Sequence, residues 1–535
     1  MRALRLVGAW PTACSIALVQ ANNYIETDEP NVTAVLGGYG IDVSSLPVLT
    51  NLPEQSTSSS CSAACQSLHS LHGSDRVLIQ DTATHADFKG SFWSNQQAEV
   101  QPYCIFKPAV NTDVAVAVLL SRLTGCPFAA KGGGHVPFRG ASNSPGGITI
   151  SFADMNDVSL SEDRLVASIG PGNVWGRVYG ILEPYGLAVI GGRETSIGVG
   201  GLVTGGGISF YSNQYGLALD NVESFEVVIA SGHIVTASAT HYPDLYWALR
   251  GGGNNFGLIT RFNLYTIPSS TMRRSRRVYM ETQIPDVTNA FASFARAGPS
   301  DGNAQQIVVF GRSEGKNVVQ AELTYLIDVA DPASFRPYKT IPAVSDTTES
   351  INLVQYSEKI EAIDTHSGHR NVFWTITVLL DESFASWAAQ YFLEILSQVA
   401  NVPGVSPSVV YQTLTEPMLA NMTKYGGNAL GLDNTQGPLH VFNVDFAWDN
   451  AADDETIYAF IHGYCNTVIG EAKKRGIAHD FIFMNYASQF QDVIASYGAD
   501  SNARLKKVAS TYDPHGVYQT LQPGHFKLKG APVVY

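Results

Sequence analysis

Charge is scarce in this chain of 535 residues, with Asp, Glu, Lys and Arg making up only 15% of it. So low a share argues against long solvated tails. Positive charge is the scarcer sign: 33 Lys and Arg face 47 Asp and Glu, the net charge is −14, and no Lys/Arg-rich tract offsets it. Such a surface repels phosphate backbones, which excludes nucleic acid as a partner. Beyond residue 19 no apolar run reaches the roughly 18 residues that a membrane span needs, so no membrane partner is expected. A Gly-x4-Gly-Lys-Ser/Thr loop is absent, which excludes that phosphate cradle. Cys61-Ser62-Ala63-Ala64-Cys65 is followed by no second Cys/His pair at zinc spacing, and His366 and His369 have no evident third ligand. No metal is expected. Internal repeats and low-complexity tracts are missing too.

A chain this long exceeds what one core organises, so two domains are the expectation. Residues 1–21 read as a secretory signal: Arg2 and Arg5 precede an apolar stretch from Leu6 to Val19, and Gln20-Ala21 offers a cleavage edge. Pro11 and Cys14 depart from the usual signal pattern, and the alternative is an intracellular protein. Two sequons, at Asn31 and Asn421, fit glycosylation in the secretory pathway. Of six cysteines (14, 61, 65, 104, 126 and 465), removal of Cys14 with the signal leaves five, hence at most two disulfides and a spare thiol. A Cys65–Cys104 bridge is expected, with Cys61 as the alternative partner, and Cys126 and Cys465 read as buried thiols.

Residues 22–99 are Ser/Thr-rich and weakly periodic. From 105 the pattern sharpens: a strand at 105–107, a helix capped by Thr112 and ended by Gly125, and a buried strand at 127–130. Strand, helix, strand with short connections is a parallel crossover. Further strands are expected at 147–151, 166–169, 188–190 and on the approach to Ile197, with a helix over 173–182 that buries Trp175, Val178, Tyr179 and Leu182. Ser231-Gly232 turns a hairpin. Between 273 and 480, longer strands (306–310, 318–326, 372–379, 440–446) alternate with amphipathic helices at 382–400 and 454–475, which suggests an antiparallel sheet covered by helices. Trp374, Phe442, Phe446 and Trp448 alternate on these strands, as core residues with one or two lining a pocket. A short strand at 481–485 follows.

Glycine is what the chain has in plenty. Its 49 glycines concentrate at 131–135, 191–207 and 251–257. Lacking a Cβ, glycine lets backbone N–H groups approach a ligand, and such clusters commonly cradle a pyrophosphate. Gly198-Val199-Gly200-Gly201-Leu202-Val203 begins like a dinucleotide fingerprint, but Val203 stands where the last glycine belongs, and no suitably placed acidic residue follows.

The order of the motifs is more specific than any one of them. Lys131-Gly132-Gly133-Gly134-His135 is followed by Gly140-Ala141-Ser142-Asn143, Gly170-Pro171-Gly172, the 198–207 run, Asp220-Asn221-Val222 and Trp247 to Gly257. Near the C-terminus come Met484-Asn485-Tyr486-Ala487, Tyr512-Asp513-Pro514 and Gln522-Pro523-Gly524. This set resembles the FAD-linked oxidases of the vanillyl-alcohol-oxidase type, in the berberine-bridge-like branch found in fungi, over nearly all of the chain from 65 to 527.

The resemblance implies an α+β protein: a two-lobed α/β PCMH-type FAD-binding domain (100–272), a substrate domain with a helix-covered antiparallel sheet (273–480), and a C-terminal segment (481–535) returning to the flavin. Residues 22–99 would pack on the FAD domain. Carried over residue by residue, His135 matches the histidine linked to the flavin 8α-methyl. Lys131, Gly132, Gly133, Gly134, Ser142, Asn143, Gly170, Thr195, Ile197, Gly198, Gly200, Gly201, Gly205, Gly206, Gly207, Gly257 and Ile259 match the cofactor-binding set. Some members carry a second link through a cysteine before the Gly-x-Gly-Gly run. The stretch 192–198 has none, so a single covalent link is expected. Members that react fast with O2 carry valine where Ile197 stands; O2 is nonetheless the expected acceptor.

Oxidising an alcohol or amine requires a base near the flavin N5. Tyr486 matches that base, and because a free tyrosine titrates at about 10, a nearby cation or hydrogen bonds must help it. Asn485 is expected to hydrogen-bond substrate or flavin. The reading is an oxidoreductase, expected to be a monomer, acting on a small organic molecule of secondary metabolism and releasing H2O2. Alternatives are a flavoprotein cyclase, a carbohydrate oxidase and a silent binding protein on the same fold.

Overall fold

The computed structural model describes residues 31–535 except 47–48, 50–56, 80–86, 298–299, 314 and 365. The expected signal segment 1–21 and Cys14 lie outside the described residues. Three sheets organise them.

The first sheet has four strands in the spatial order Val77–Ile79, Cys104–Phe106, Ile148–Ser151 and Phe128–Lys131. The last three run parallel, as the expected crossover requires. The connecting helix Asn111–Thr124 buries every side chain from Asp113 to Ser121, because it is sandwiched between layers rather than facing solvent. It begins before Thr112, which does not cap it. The Asp113 carboxylate does that work, accepting the Ala109 and Val110 N–H groups at 2.9 and 3.1 Å. Gly125 ends it at φ 73°.

The weakly periodic N-terminal stretch contains a helix that the sequence reading missed, Thr57–His72. Its Cys61 and Cys65, four apart, share one face, and that face meets the ends of two strands. Cys65 bonds to Cys104 and Cys61 to Cys126. Cys126 is therefore not a free thiol; Cys465 is, and burial pushes its thiol well up. The sequon residue Asn31 is exposed and caps the helix Val32–Gly38. Asn421 is half-buried, and its amide nitrogen donates to Pro417 O at 2.7 Å.

The second sheet orders Val158–Leu160, Val166–Ile169, Leu258–Pro268, Val222–Val228 and Ile234–Ser238, with Leu187–Val189 also on Leu258–Pro268. Helix Trp175–Leu182 buries the four expected side chains. Two expected strands do not form. The approach to Ile197 is irregular: it forms one isolated bridge, Val174–Gly198, and accepts the Trp175 and Gly176 N–H groups at Ile197 O and Thr195 O without building a ladder. Residues 481–485 join no ladder; Phe481, Phe483 and Met484 bury their side chains in the core, and the chain turns at Met484–Tyr486.

The third sheet has eight strands: Ser345–Ile351, Met272–Tyr279, Lys316–Tyr325, Ala304–Ser313, Ser406–Leu414, Leu439–Trp448, Arg370–Leu379 and Ala478–His479. All neighbours are antiparallel. Helices Ile284–Ala297, Glu382–Ile395 and Asp454–Arg475 pack over one face with Val308, Phe310, Tyr411, Phe442 and Phe446. Period-2 alternation leaves the other face for a cleft. Trp374, Phe442, Phe446 and Trp448 all belong to the helix-covered core. None lines the cleft; their neighbour Phe373 does.

Candidate active site

A cleft of about 690 Å³ lies between the glycine loops and the open face of the eight-stranded sheet. Strand Phe128–Lys131 delivers the loop 132–135 into it. There Gly133 crosses Gly198 so closely that a Cβ on either would sit 2.4 Å from the other's nitrogen. Both must be glycine, and the crossing holds bare backbone where side chains would otherwise fill the groove.

Of the expected cofactor set, Gly132, Gly133, Gly134, Ser142, Ile197, Gly198, Gly200, Gly201, Gly257 and Ile259 line the cleft, as do His135, Asn485 and Tyr486. The rest support it from behind. The Lys131 ammonium turns away to the Phe92 and Phe88 rings, 4.9 and 5.7 Å off, and burial lowers its pKa to about 8. Asn143 is buried, donating to Gln97 O and accepting from Thr149. Gly170 lies against the Met155 carbonyl, and Thr195 packs on Gly176. Gly205 lies under the Asn485 amide, and Gly206 and Gly207 adopt positive φ.

His135 is stacked on Trp93 with ring centroids 4.3 Å apart. Its Nε2 is buried without a hydrogen-bond partner, 3.8 Å from Glu194 Oε2. Burial lowers the imidazole pKa against the opposing pull of Asp364, Glu361 and Asp445, so the ring is held neutral. Burial raises Glu194 to about 7, assisted by Asp364. The segment carrying Asp364 is tied down from both sides: Trp93 Nε1 donates to Asp364 at 2.9 Å, and Ser196 donates twice to Glu361.

His366 is a site residue that sequence reasoning undervalued. It is buried, lines the cleft and faces Asp445 at 3.1 Å. Burial alone would lower its pKa, but Asp445, then Asp364 and Glu194, raise it to about 9. His369 points elsewhere, to Asp449. The only sequence signal was an acidic residue on a strand 79 positions away, which no local pattern reveals.

Tyr486 has the cation its expected role needs. Arg193 Nη2 donates to the Tyr486 oxygen at 2.9 Å and to Gln412 Oε1 at 2.7 Å, and the Tyr486 hydroxyl donates to the same Gln412 oxygen at 3.4 Å. Neither Arg193 nor Gln412 was singled out from the sequence. Asn485, which lines the same cleft, has backbone partners: its Oδ1 accepts from Gly207 N at 2.9 Å, and its Nδ2 donates to Gly201 O at 3.2 Å. Its amide clamps the glycine helix Val199–Gly205 to the C-terminal segment.

Several buried polar atoms of the lining, among them His135 Nε2, Ser142 Oγ and His525 Nδ1, lack a hydrogen-bond partner. Buried polar groups rarely stay unpaired, so a bound molecule with polar edges fits this cleft. Known proteins agree. Residues 102–238 match a family model described as an FAD binding domain. An FAD-dependent monooxygenase of Fusarium proliferatum, FUP4, is 36% identical over 495 residues, which is 88% of this chain and 95% of that one. The glucooligosaccharide oxidase of Acremonium strictum, which carries a 6-S-cysteinyl, 8α-N1-histidyl FAD, superposes with a TM-score of 0.71 at 18% identity, covering 88% of this chain and all (100%) of that one. The 6-hydroxy-D-nicotine oxidase of Arthrobacter nicotinovorans gives 0.69 at 20% identity, over 83% and 96%.

Proposed function

Because the chain belongs to the FAD-linked oxidoreductases of the vanillyl-alcohol-oxidase type, in the berberine-bridge-like branch, we propose that it oxidises a small organic alcohol, amine or related secondary metabolite. The observation that carries this reading is the pairing of an orphaned, neutral His135 with an arginine-backed Tyr486 in one cleft. His135 would hold the FAD by a single covalent link, since residues 192–198 contain no cysteine. The flavin would supply the two-electron acceptor for the substrate's hydride, with O2 taking the electrons on as H2O2.

The chain's own part is proton handling and positioning. In its phenolate form Tyr486 would accept the substrate's proton at its oxygen, and Arg193 and Gln412 fix that oxygen. Asn485 fixes the height of Tyr486 above the glycine helix through its two backbone bonds. Stacking on Trp93 holds the His135 ring in place. The residue ranges 100–272, 273–480 and 481–535 are proposed as the FAD domain, the substrate domain and the returning segment. Two disulfides support passage through an oxidising compartment, and no described helix is long and apolar enough to cross a membrane.

The test is acid precipitation of the purified protein. A yellow pellet is expected from the wild type and a colourless one from His135→Ala. A colourless wild type, or a yellow His135→Ala, overturns the attachment. Turnover under ¹⁸O2 separates oxidase from monooxygenase chemistry: label in the peroxide is expected, and label in the organic product overturns the oxidase reading.

A further inference from the structure

We infer that the cleft selects a largely apolar substrate carrying an acidic group, a carboxylate or an acidic enol, and that Arg276 reads that group. The inference rests on the oxidoreductase reading of the same cleft.

The floor of the cleft is the open face of the eight-stranded sheet, and its registers fix what stands beside what. In one row Arg276 opposes Glu322, and Glu322 opposes Ile307. Gln412 continues the row, because Val308 pairs with Tyr411 one position away. A second row runs Gln320, Val309, Val410, Asn443. The middle of the floor is thus Ile307, Val309 and Val410. Gln412, bonded to Tyr486, marks the reacting end, and Arg276 stands three strands away. At roughly 4.8 Å per strand that is about 14 Å between backbones, less the reach of the two side chains.

Arg276 has charge to spare. Its Nη2 donates to Gln320 Oε1 at 2.7 Å, but its Nε is buried and unpartnered. Its neighbour Glu322 takes its hydrogen bonds from other side chains. Arg274 donates to both Glu322 oxygens, at 2.5 and 3.2 Å, and Tyr356 donates to it at 2.8 Å. Among the described residues no ion pair engages Arg276. A buried guanidinium N–H left without an acceptor is costly, and its planar fork matches a pair of anionic oxygens. An apolar floor ending on a cation with an unused N–H suits an amphipathic acid. A sugar ring would leave its hydroxyls over Ile307, Val309 and Val410 without partners.

The experiment is calorimetric titration of the full chain with 4-phenylbutyrate, its methyl ester and cellobiose. The acid is expected to bind at least about tenfold tighter than the ester, as one charge-assisted pair implies, and cellobiose more weakly than either. Arg276→Gln should abolish the preference for acid over ester. Arg276→Lys, which keeps the charge, should retain part of it, and added salt should erode it in the wild type. An acid that binds no tighter than its ester, or a preference that survives Arg276→Gln, overturns the assignment. Should the Gln variant fail to fold, a wild-type preference indifferent to salt overturns it equally. The acid-precipitated pellet from the same preparation keeps the two readings apart. A yellow pellet without acid preference sinks this inference alone; a colourless pellet with acid preference sinks the flavin attachment and leaves Arg276 its role.

Discussion

At the scale of the residue, the cleft separates two kinds of side chain that a motif reading treats alike. Asn485 and Tyr486 are adjacent in sequence, yet one bonds the backbone of the glycine helix and the other meets an arginine. The consequence can be measured. Tyr486→Phe should keep its covalent flavin and lose about 10²–10⁴-fold in kcat, the range for removing a general base. Unchanged turnover would reduce Tyr486 to a packing residue. Arg193→Gly should fall in kcat far more than in substrate affinity, and exogenous guanidinium should restore part of the loss, because the gap it leaves is the shape of that ion. Recovery with sodium at the same ionic strength would show a screening effect and remove Arg193 from the proton step. The sequence pointed to Tyr486 because its motif is local. It was silent on Arg193 and Gln412 because their meeting, 293 and 74 residues from Tyr486, is made by packing alone.

Among the elements, the helix Thr57–His72 shows how a weak pattern hides a strong constraint. Its Ser/Thr-rich sequence carries little periodicity, and what holds it is covalent: two disulfides, one turn apart, to Cys104 at the start of one strand and to Cys126 just before another. Pairing Cys65 with Cys104 was legible, but the fate of Cys126 was not. Reading Cys61 as an alternative partner for Cys104 hid the arrangement in which each helical cysteine has its own partner. The Cys61–Cys126 bridge closes a loop with a sequence separation of 65 residues. In the chain-entropy account such a loop contributes about 4 kcal/mol, and observed effects run from about 2 to 5. A Cys61→Ala/Cys126→Ala variant should therefore show an unfolding free energy lower by that order in urea titration, with a steeper slope because the unbridged unfolded chain exposes more surface. A change below about 1 kcal/mol would mean that the helix is held by its packing on Asn111–Thr124 instead. The long strands and the helix Asp454–Arg475 were readable because their periodicity is unbroken. The strands expected near Ile197 and at 481–485 failed because glycine and cleft contacts displaced the ladder there.

For the whole molecule, the buried ionisable groups set how stability follows pH. His440 lies fully buried among Phe291, Tyr411 and Phe442, 4.0 to 4.8 Å from their rings, with neither nitrogen bonded. Burial lowers its pKa to about 3, and it lowers that of His525 to about 3 as well, with help from Lys527. Below the unfolded value of about 6.5 the unfolded chain binds a proton that the folded one refuses, so each histidine removes stability as pH falls from there toward 3. Glu194 and Asp220 act in the opposite sense: burial raises both to about 7, so the folded chain takes their protons first and gains stability as pH falls from 7 toward the ordinary carboxylate range. The two pairs oppose one another between about 6.5 and 4. A single substitution exposes the hidden slope. His440→Phe keeps an aromatic ring in the cage, and any packing cost it carries is independent of pH. Relative to wild type it should gain about 2 kcal/mol in unfolding free energy between pH 7 and pH 5, from 1.36 kcal/mol per unit over the 1.5 units below 6.5. Urea unfolding at the two pH values measures this difference directly. A difference between variant and wild type that does not change with pH would mean that His440 is protonated in the folded protein and that its aromatic cage admits a charge.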